Sequence, residues 1–457
     1  MSFAITTLIV LISVGAATHA LLSKQDPRAA LGWMALCVVV PVFGPVLYLL
    51  LGINRPGVFD RGALILQNPV AQLEECQGFD HPLDRVTAKL SRYPCSRDNR
   101  VEMLRNGEQA YPAMLEAINH AEHSVLLCTY IFDSDEAGKE FVDALAECAN
   151  RGVTVRVLVD SVGSLYSFPS AVRLLRNAGV TTSRFLPLFH RNSWLLNMRN
   201  HRKILAIDGR LAFTGGMNIG SRHMVGRHRA GSAGDVQFRI EGGVARSLVD
   251  IFCRDWKFAT GETLNPHSAD LVATGNTPCR PISDGPDCEI GTLPKLLLGL
   301  IGSAASSITI VTPYFLPPPA IAGALIGATL RGVRVRILLP EHSNLPYVMW
   351  ASEHALLDFL RSSVEVYYQP RPFSHTKMLL IDDDFLQIGS YNLDARSLRL
   401  NFELAVNIFD KSLRRKIDFE LEERLSLSFR VELPYLRDRS LPVRIRNATS
   451  WLFTPYL

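Results

Sequence analysis

The sequence predicts a duplicated α/β fold: two similar halves about a pseudo-two-fold axis, behind an N-terminal transmembrane helical hairpin. Three observations carry the prediction. A short pattern built on His, Lys, Asp and Asn occurs twice, 174 residues apart. Helical and apolar strand-like stretches alternate in the same order ahead of each copy. Two long uncharged stretches open the chain.

Phe3 to Leu22 is twenty residues without Asp, Glu, Lys or Arg, and Ala29 to Ile53 is twenty-five more. Each is long enough to cross a hydrocarbon core of about 30 Å. The link Ser23-Lys24-Gln25-Asp26-Pro27-Arg28 is short and polar, so residues 1–53 read as a transmembrane hairpin. A cleaved signal peptide is a poorer reading of the first stretch, because no basic residue precedes Phe3 and a second stretch follows at once. Pro41, Gly44 and Pro45 interrupt the second stretch and leave a kinked or re-entrant path open. Two spans would place the N-terminus and the rest of the chain on one side. Lys24 and Arg28 in the link, against Arg55 and Arg61 beyond the second stretch, do not settle which side.

Residues 54–99 are polar and proline-interrupted, and read as a juxtamembrane linker and docking segment, or equally as a lid. The first half is expected over 100–261. It has helices over 111–123 and 137–150 and strands over 124–132 and 152–160. The second half, 287–457, repeats the order: helices over 295–305 and 320–330, strands over 307–315 and 332–340. Arg151-Gly152-Val153-Thr154-Val155-Arg156-Val157-Leu158 matches Arg331-Gly332-Val333-Arg334-Val335-Arg336-Ile337-Leu338 at an offset of 180. The alternation argues for a largely parallel sheet in each half. Residues 262–286, with clustered Asn, Gly, Pro and Asp, are the expected linker. Ser221 to Gly234 reads as a mobile loop whose His223 and His228 face solvent or lipid. Ser412 to Phe429 reads as a charged helix. The tail from Pro434 mixes Arg with Trp451, Phe453 and Tyr456, which suits either a surface resting on anionic headgroups or a packed segment.

The repeated pattern is His201-x-Lys203-x4-Asp208 followed by Gly215-Gly216-Met217-Asn218, and His375-x-Lys377-x4-Asp382 followed by Gly389-Ser390-Tyr391-Asn392. Side chains two apart on a strand share a face, so each copy presents an imidazole beside an ammonium. The Asp opens a tight turn into a second strand, Leu211 to Thr214 or Phe385 to Ile388. The small residues that end this strand allow close approach of an anion to backbone N–H groups. Two His, two Lys and two Asn, with no Cys or carboxylate at metal-ligand spacing, point to a phosphate site without metal or other cofactor.

At these residues the chain resembles the phospholipase D superfamily with its paired HKD motifs. The second copy, from Ser374 through Asn392-Leu393-Asp394-Ala395-Arg396-Ser397 to Asn401-Phe402-Glu403, resembles the bacterial cardiolipin synthases, as does the N-terminal stretch with Trp33, Pro41, Gly44, Tyr48 and Gly52. The resemblance implies two phospholipase D-like halves sharing one central site, in a multi-pass enzyme of the bacterial inner membrane with its catalytic part in the cytoplasm. One His would attack phosphorus and the other protonate the leaving alkoxide. Lys203 and Lys377 would neutralise the phosphoryl oxygens, and Asn218, Asn392 and Ser390 would donate to them. Asp235 and Glu403, each about thirty residues after the His of its own copy, would hold the imidazoles. Asp235 follows Gly231-Ser232-Ala233-Gly234, where the family carries a Trp and a basic residue. Asp208 and Asp382 complete the motifs in structural or supporting roles. By analogy His201 is the nucleophile.

The family's reaction joins two phosphatidylglycerol molecules into cardiolipin and releases glycerol. Water as acceptor would give phosphatidate, and phosphatidylethanolamine could serve as second lipid. Preferring an alcohol a thousandfold over water takes only about 4 kcal/mol. A net charge of +4 argues against nucleic acid as partner. Hydrophobic content of 47% is high for a soluble enzyme. The eight cysteines include no C-x2-C pair and read as reduced core residues. Retention of both complete motifs argues against an inert scaffold. Oligomeric state is not legible.

Overall fold

The computed structural model describes residues 3–24, 27–52, 79–186, 198–227, 231–266, 273–285 and 291–454. His228, Cys76, Cys288 and most of the expected juxtamembrane segment lie outside them. At the N-terminus α1 (Phe3–Ser23) is unbroken, and it is the one helix among the described residues long and apolar enough to cross a membrane. The second stretch differs from expectation. α2 (Pro27–Val39) stops before Pro41, whose ring cannot continue the hydrogen-bond ladder. A short α3 (Phe43–Leu47) and a π-helical turn (Tyr48–Gly52) follow.

α4 (Pro82–Ala88) leads into the first half. There β1 (Ser96–Arg105), α5 (Asn106–Asn119), β2 (Ser124–Thr129), α6 (Glu136–Asn150), β3 (Thr154–Asp160), α7 (Ala171–Asn177) and β4 (Thr182–Phe185) precede the first motif. The motif itself spans β5 (Arg199–Asn200), β6 (Ile204–Ile207) and β7 (Leu211–Gly215). β8 (Ala233–Gly234), β9 (Val236–Glu241) and α8 (Gly243–Thr260) close the half.

The second half repeats this with β10 (Thr277–Asp284), α9 (Thr292–Ser303), β11 (Ser307–Val311), β12 (Phe315–Leu316), α10 (Pro319–Leu330), β13 (Arg334–Pro340), α11 (Pro346–Arg361) and β14 (Glu365–Gln369). Its motif spans β15 (Phe373–Ser374), β16 (Met378–Ile381), β17 (Phe385–Gly389) and β18 (Leu393–Asp394). β19 (Asn401–Phe409), α12 (Lys411–Ser426), β20 (Phe429–Val431), α13 (Leu433–Arg437) and α14 (Leu441–Leu452) complete it.

Among the described residues one continuous sheet runs in the order β20-β14-β13-β11-β16-β17-β19-β10-β1-β9-β7-β6-β2-β3-β4, with β5 on β19, while β12 pairs with β18 and β15 with β8 apart from it. It is mixed, not largely parallel. β2, β3 and β4 pair in parallel, as do β11, β13 and β14, but the motif strands and those beside the centre are antiparallel. The expected linker also differs, because Thr277–Asp284 is the first strand of the second half. It pairs with β19 as β1 pairs with β9, and β1 and β10 join the halves. Likewise the first half opens at Ser96, ahead of the expected residue 100.

Helices cover both faces, which accounts for strands apolar on both sides. α5, α6 and α7 pack on Val125, Leu127, Val155 and Val157, and α9, α10 and α11 cover the same face of the second half. On the opposite face α8 and α12 share one core, with Leu126, Leu158, Leu248, Phe252, Leu380, Leu404, Leu413 and Ile417 in a single cluster. Leu83 and Val86 of α4 join the second half's core. Fully buried Arg280 makes a two-pronged ion pair with Asp84 at 2.7 and 2.8 Å. Among the described residues, Cys37, Cys128, Cys148 and Cys253 are free thiols. The tail is packed: α14 lies on α11, Arg446 stacks on Trp350 at 4.3 Å, and Asn447 donates to Glu353 at 2.6 Å.

Candidate active site

Each His sits just after a two-residue strand that pairs, in parallel, with a strand of the other half. β5 lies beside the start of β19, and the His201 N–H donates to the Phe402 carbonyl at 2.9 Å. β15 lies beside β8, and the His375 N–H donates to the Gly234 carbonyl at 2.7 Å. This crossing decides which acid holds which imidazole. His201 Nδ1 lies 3.1 Å from Glu403 Oε2, and His375 Nδ1 lies 2.8 Å from Asp235 Oδ2. Each imidazole is therefore held by the carboxylate of the opposite half. With a carboxylate on Nδ1, that nitrogen carries the proton and Nε2 keeps its lone pair.

The two acids are not equivalent. Glu403 accepts hydrogen bonds from Ser390 Oγ, Ser397 Oγ (2.7 Å) and Asn401 Nδ2 (3.1 Å) besides the imidazole. Burial alone would raise its pKa. The charges of His201 and Lys203 and the donated bonds outweigh that and hold it at about 2. Asp235 accepts from the Val236 N–H and His375, and burial raises its pKa. Both imidazoles are pushed toward the neutral form, chiefly by burial.

Lys203 and Lys377 are buried, and each donates to the carbonyl of its own motif's His, at 2.6 and 2.7 Å. Lys377 Nζ is also 3.1 Å from His375 Nε2, while Lys203 lies over the Tyr130 ring. Burial lowers their pKa values to about 7 and about 8, against which the charges of Glu403 and Asp235 raise both, and Lys203 also feels Lys377. A phosphodiester anion entering here would supply the charge that keeps both ammoniums protonated.

Asp208 and Asp382 lie outside this centre. Asp208 accepts the N–H groups of Glu122, His123 and Ser124, and Asp382 those of Ala305, Ser306 and Ser307. Each caps the start of a parallel strand from a left-handed turn at φ 51°. The small residues that end and follow β7 and β17 let neighbouring strands and Asp235 pack closely. A Cβ on Gly215 would meet the Val236 carbonyl and one on Gly389 the Leu404 carbonyl, both at 2.7 Å. A Cβ on Gly216 would lie 2.8 Å from both Asp235 oxygens. Ser390, at the matching position, spends its hydroxyl on Glu403. Asn218 Oδ1 accepts the Ile131 N–H at 3.1 Å, which directs its amide hydrogens elsewhere, and Asn392 Oδ1 is buried without a partner.

The family models agree with this architecture. The cardiolipin synthase PLD-like domain matches residues 114–237 and 297–425, and a phospholipase D-nuclease N-terminal model matches 4–52. Cardiolipin synthase 2 of Bacillus anthracis is 32% identical over 453 residues, covering 95% of this chain and 88% of the relative. The major cardiolipin synthase of Bacillus subtilis is 32% identical over 456 residues, covering 95% of each. The chain belongs to the cardiolipin synthase family. Among solved structures, phosphatidylserine synthase of Haemophilus influenzae shares the fold, with a TM-score of 0.63 at 16% identity over 82% of this chain and 100% of that one.

Within this cardiolipin synthase family member, the structure adds residues that the motifs do not mark. Ser397 and Asn401 complete the shell around Glu403. Tyr130 stands edge-on to His201 with ring centroids 5.2 Å apart. His223, expected to face solvent or lipid, is buried: its Nδ1 meets the Ala233 carbonyl at 3.0 Å, its Nε2 has no partner, and its ring lies 6.3 Å from His375. Only its position between the first motif and Asp235 hinted at this.

Proposed function

We propose that the chain transfers a phosphatidyl group from one phosphatidylglycerol to another, giving cardiolipin and glycerol. The observation that supports this best is the pair of imidazoles, each held through Nδ1 by a buried carboxylate of the opposite half, with two buried lysines beside them. That arrangement suits double displacement at phosphorus.

In the first step His201 Nε2 attacks phosphorus. The new N–P bond forms as the P–O bond to the headgroup glycerol breaks, and His375, which takes up a proton on Nε2 as the phosphodiester anion binds and keeps Nδ1–H on Asp235, passes that Nε2 proton to the leaving oxygen. In the second step His375 takes the proton of an acceptor hydroxyl. That oxygen attacks phosphorus, the N–P bond breaks, and His201 is restored. Lys203 and Lys377 neutralise the non-bridging oxygens, and Asn218 and Asn392 orient them. The better-supported carboxylate, Glu403, favours His201 as nucleophile, because it stabilises the imidazolium-like charge of the phosphohistidine. The reaction uses no metal or other cofactor. The membrane is the bacterial cell membrane, which α1 spans, and the catalytic halves face the cytoplasm.

The test is a product assay. Purified full-length chain is added to phosphatidylglycerol vesicles in EDTA, and lipids and free glycerol are quantified. Equimolar cardiolipin and glycerol are expected, with both lost in His201→Ala and in His375→Ala. Phosphatidate as the main product would replace the transferase reading with a hydrolase. Cardiolipin formed only when phosphatidylethanolamine is added would change the second lipid.

A further inference from the structure

We infer that residues 27–52 do not cross the membrane but dip into one leaflet and return. The Phe3 end of α1 and the catalytic halves then lie on opposite sides. The inference rests on the reading of α1 as a membrane span.

The contacts along α1 give the depth of the second segment at three points. At its break, the Pro41 carbonyl accepts from Ser13 Oγ at 2.7 Å. Ser13 is ten residues from the Ser23 end of α1, about 15 Å at 1.5 Å per residue, or half the depth of a span. Further on, the Tyr48 hydroxyl is 2.7 Å from His19 Nδ1 and 3.1 Å from Ser23 Oγ. At the end, the Lys24 ammonium donates to the Gly52 carbonyl. The chain thus descends along α2 to mid-depth and climbs back to where it started. A complete crossing would leave Gly52 level with Phe3, about 30 Å away.

The local chemistry fits a re-entrant path. Non-helical backbone at membrane depth survives only where protein satisfies it, and Ser13 does this for Pro41. The two limbs touch backbone to backbone: a Cβ on Gly44 would lie 2.3 Å from the Leu36 carbonyl oxygen. Leu31, Val39 and Phe43 are left exposed on the outside, as lipid contact requires. His19, Ser23, Lys24 and Tyr48 gather at the link end, the depth that suits polar and aromatic anchors.

An independent contact puts the catalytic body at that same end. The Arg28 guanidinium stacks on Trp451 of α14 at 4.7 Å, and Trp451 packs on His354 of α11 with centroids 5.0 Å apart. In this topology Lys24 and Arg28 stand on the side of the catalytic body. The basic residues then agree on that side as the cytoplasm.

The experiment uses the full chain with one epitope ahead of Met1 and another after Leu457. Sealed right-side-out and inverted membrane vesicles are treated with protease, and parallel samples are washed in alkaline carbonate. The expected result is that carbonate leaves the chain in the membrane and the two epitopes have opposite fates: the N-terminal one is lost from right-side-out vesicles, the C-terminal one from inverted vesicles. Retention with both epitopes lost from the same vesicles would overturn the re-entrant path in favour of two spans. Release by carbonate would instead overturn the span itself.

Discussion

Replacing Glu403 by Gln tests the crossed wiring of the site directly. The carboxylate takes four donated bonds, from His201, Ser390, Ser397 and Asn401. A glutamine of the same shape keeps one acceptor oxygen and puts two N–H donors where the other stood. Either His201 loses its partner or turns over to the wrong tautomer. A hydrogen bond to a charged group contributes about 1.5–3 kcal/mol, which corresponds to about 10- to 150-fold in rate. Cardiolipin formation from phosphatidylglycerol should fall by about that factor while the melting curve stays cooperative. The same variant carries a second readout. In 15N-histidine spectra, with each ring assigned by its loss in the His→Ala variant, Glu403→Gln should move the His201 signals and Asp235→Asn those of His375. A rate within about threefold of the parent, or movement of His375 alone in Glu403→Gln, would refute the reasoning.

Lys203 and Lys377, lowered by burial to about 7 and about 8, should give kcat/KM an alkaline limb in that range. Bound phosphodiester raises both, so the limb in kcat should lie at higher pH. Glu403 moves in the other direction. Its depressed folded pKa of about 2 contributes stability that is fully present above its unfolded value of about 4.3 and is lost as pH falls toward 2. Acid melts of Glu403→Gln should therefore be flatter than those of the parent over that window. Asp84→Ala strips buried Arg280 of its carboxylate and should cost about 3–5 kcal/mol, read as a large drop in Tm. Gly216→Ala forces a methyl against Asp235 and should cost about 1–3 kcal/mol locally, read as at least tenfold lower turnover with a small change in Tm.

Much of the fold is legible because it rests on local patterns. The helices and strands ahead of each motif follow hydrophobic periodicity, and the offset of 180 residues announces the duplication. What escapes notice depends on partners far away in sequence. The two His–carboxylate pairs span 202 and 140 residues, so nothing local says that they cross between halves. β10 has the sequence Thr277-Pro278-Cys279-Arg280-Pro281-Ile282-Ser283-Asp284, whose prolines and charges look like a loop. It becomes a strand because Asp84 neutralises its buried arginine and β19 pairs along it. His223 sits in a stretch rich in Gly and Arg that looks solvated, yet the Ala233 carbonyl and the neighbouring His375 enclose it. The tight turns at Asp208 and Asp382 mark an antiparallel hairpin in each motif, but the alternation of helices and apolar strands looks alike in mixed and parallel sheets, so nothing local says that these hairpins join the same sheet as the parallel strands.

The unbroken sheet has a bearing on how the enzyme completes a cycle with two lipids. β19, β10, β1 and β9 are hydrogen-bonded in sequence, and α8 and α12 seal one face across the boundary. The halves cannot part like the valves of a shell without tearing backbone pairing and a shared core. Departure of the first alcohol and arrival of the second substrate must then be traffic through a fixed doorway, governed by side chains and loops at the rim. Turnover should accordingly be sensitive to the thickness and fluidity of the lipid that feeds the doorway, and indifferent to cross-links that pin one half to the other.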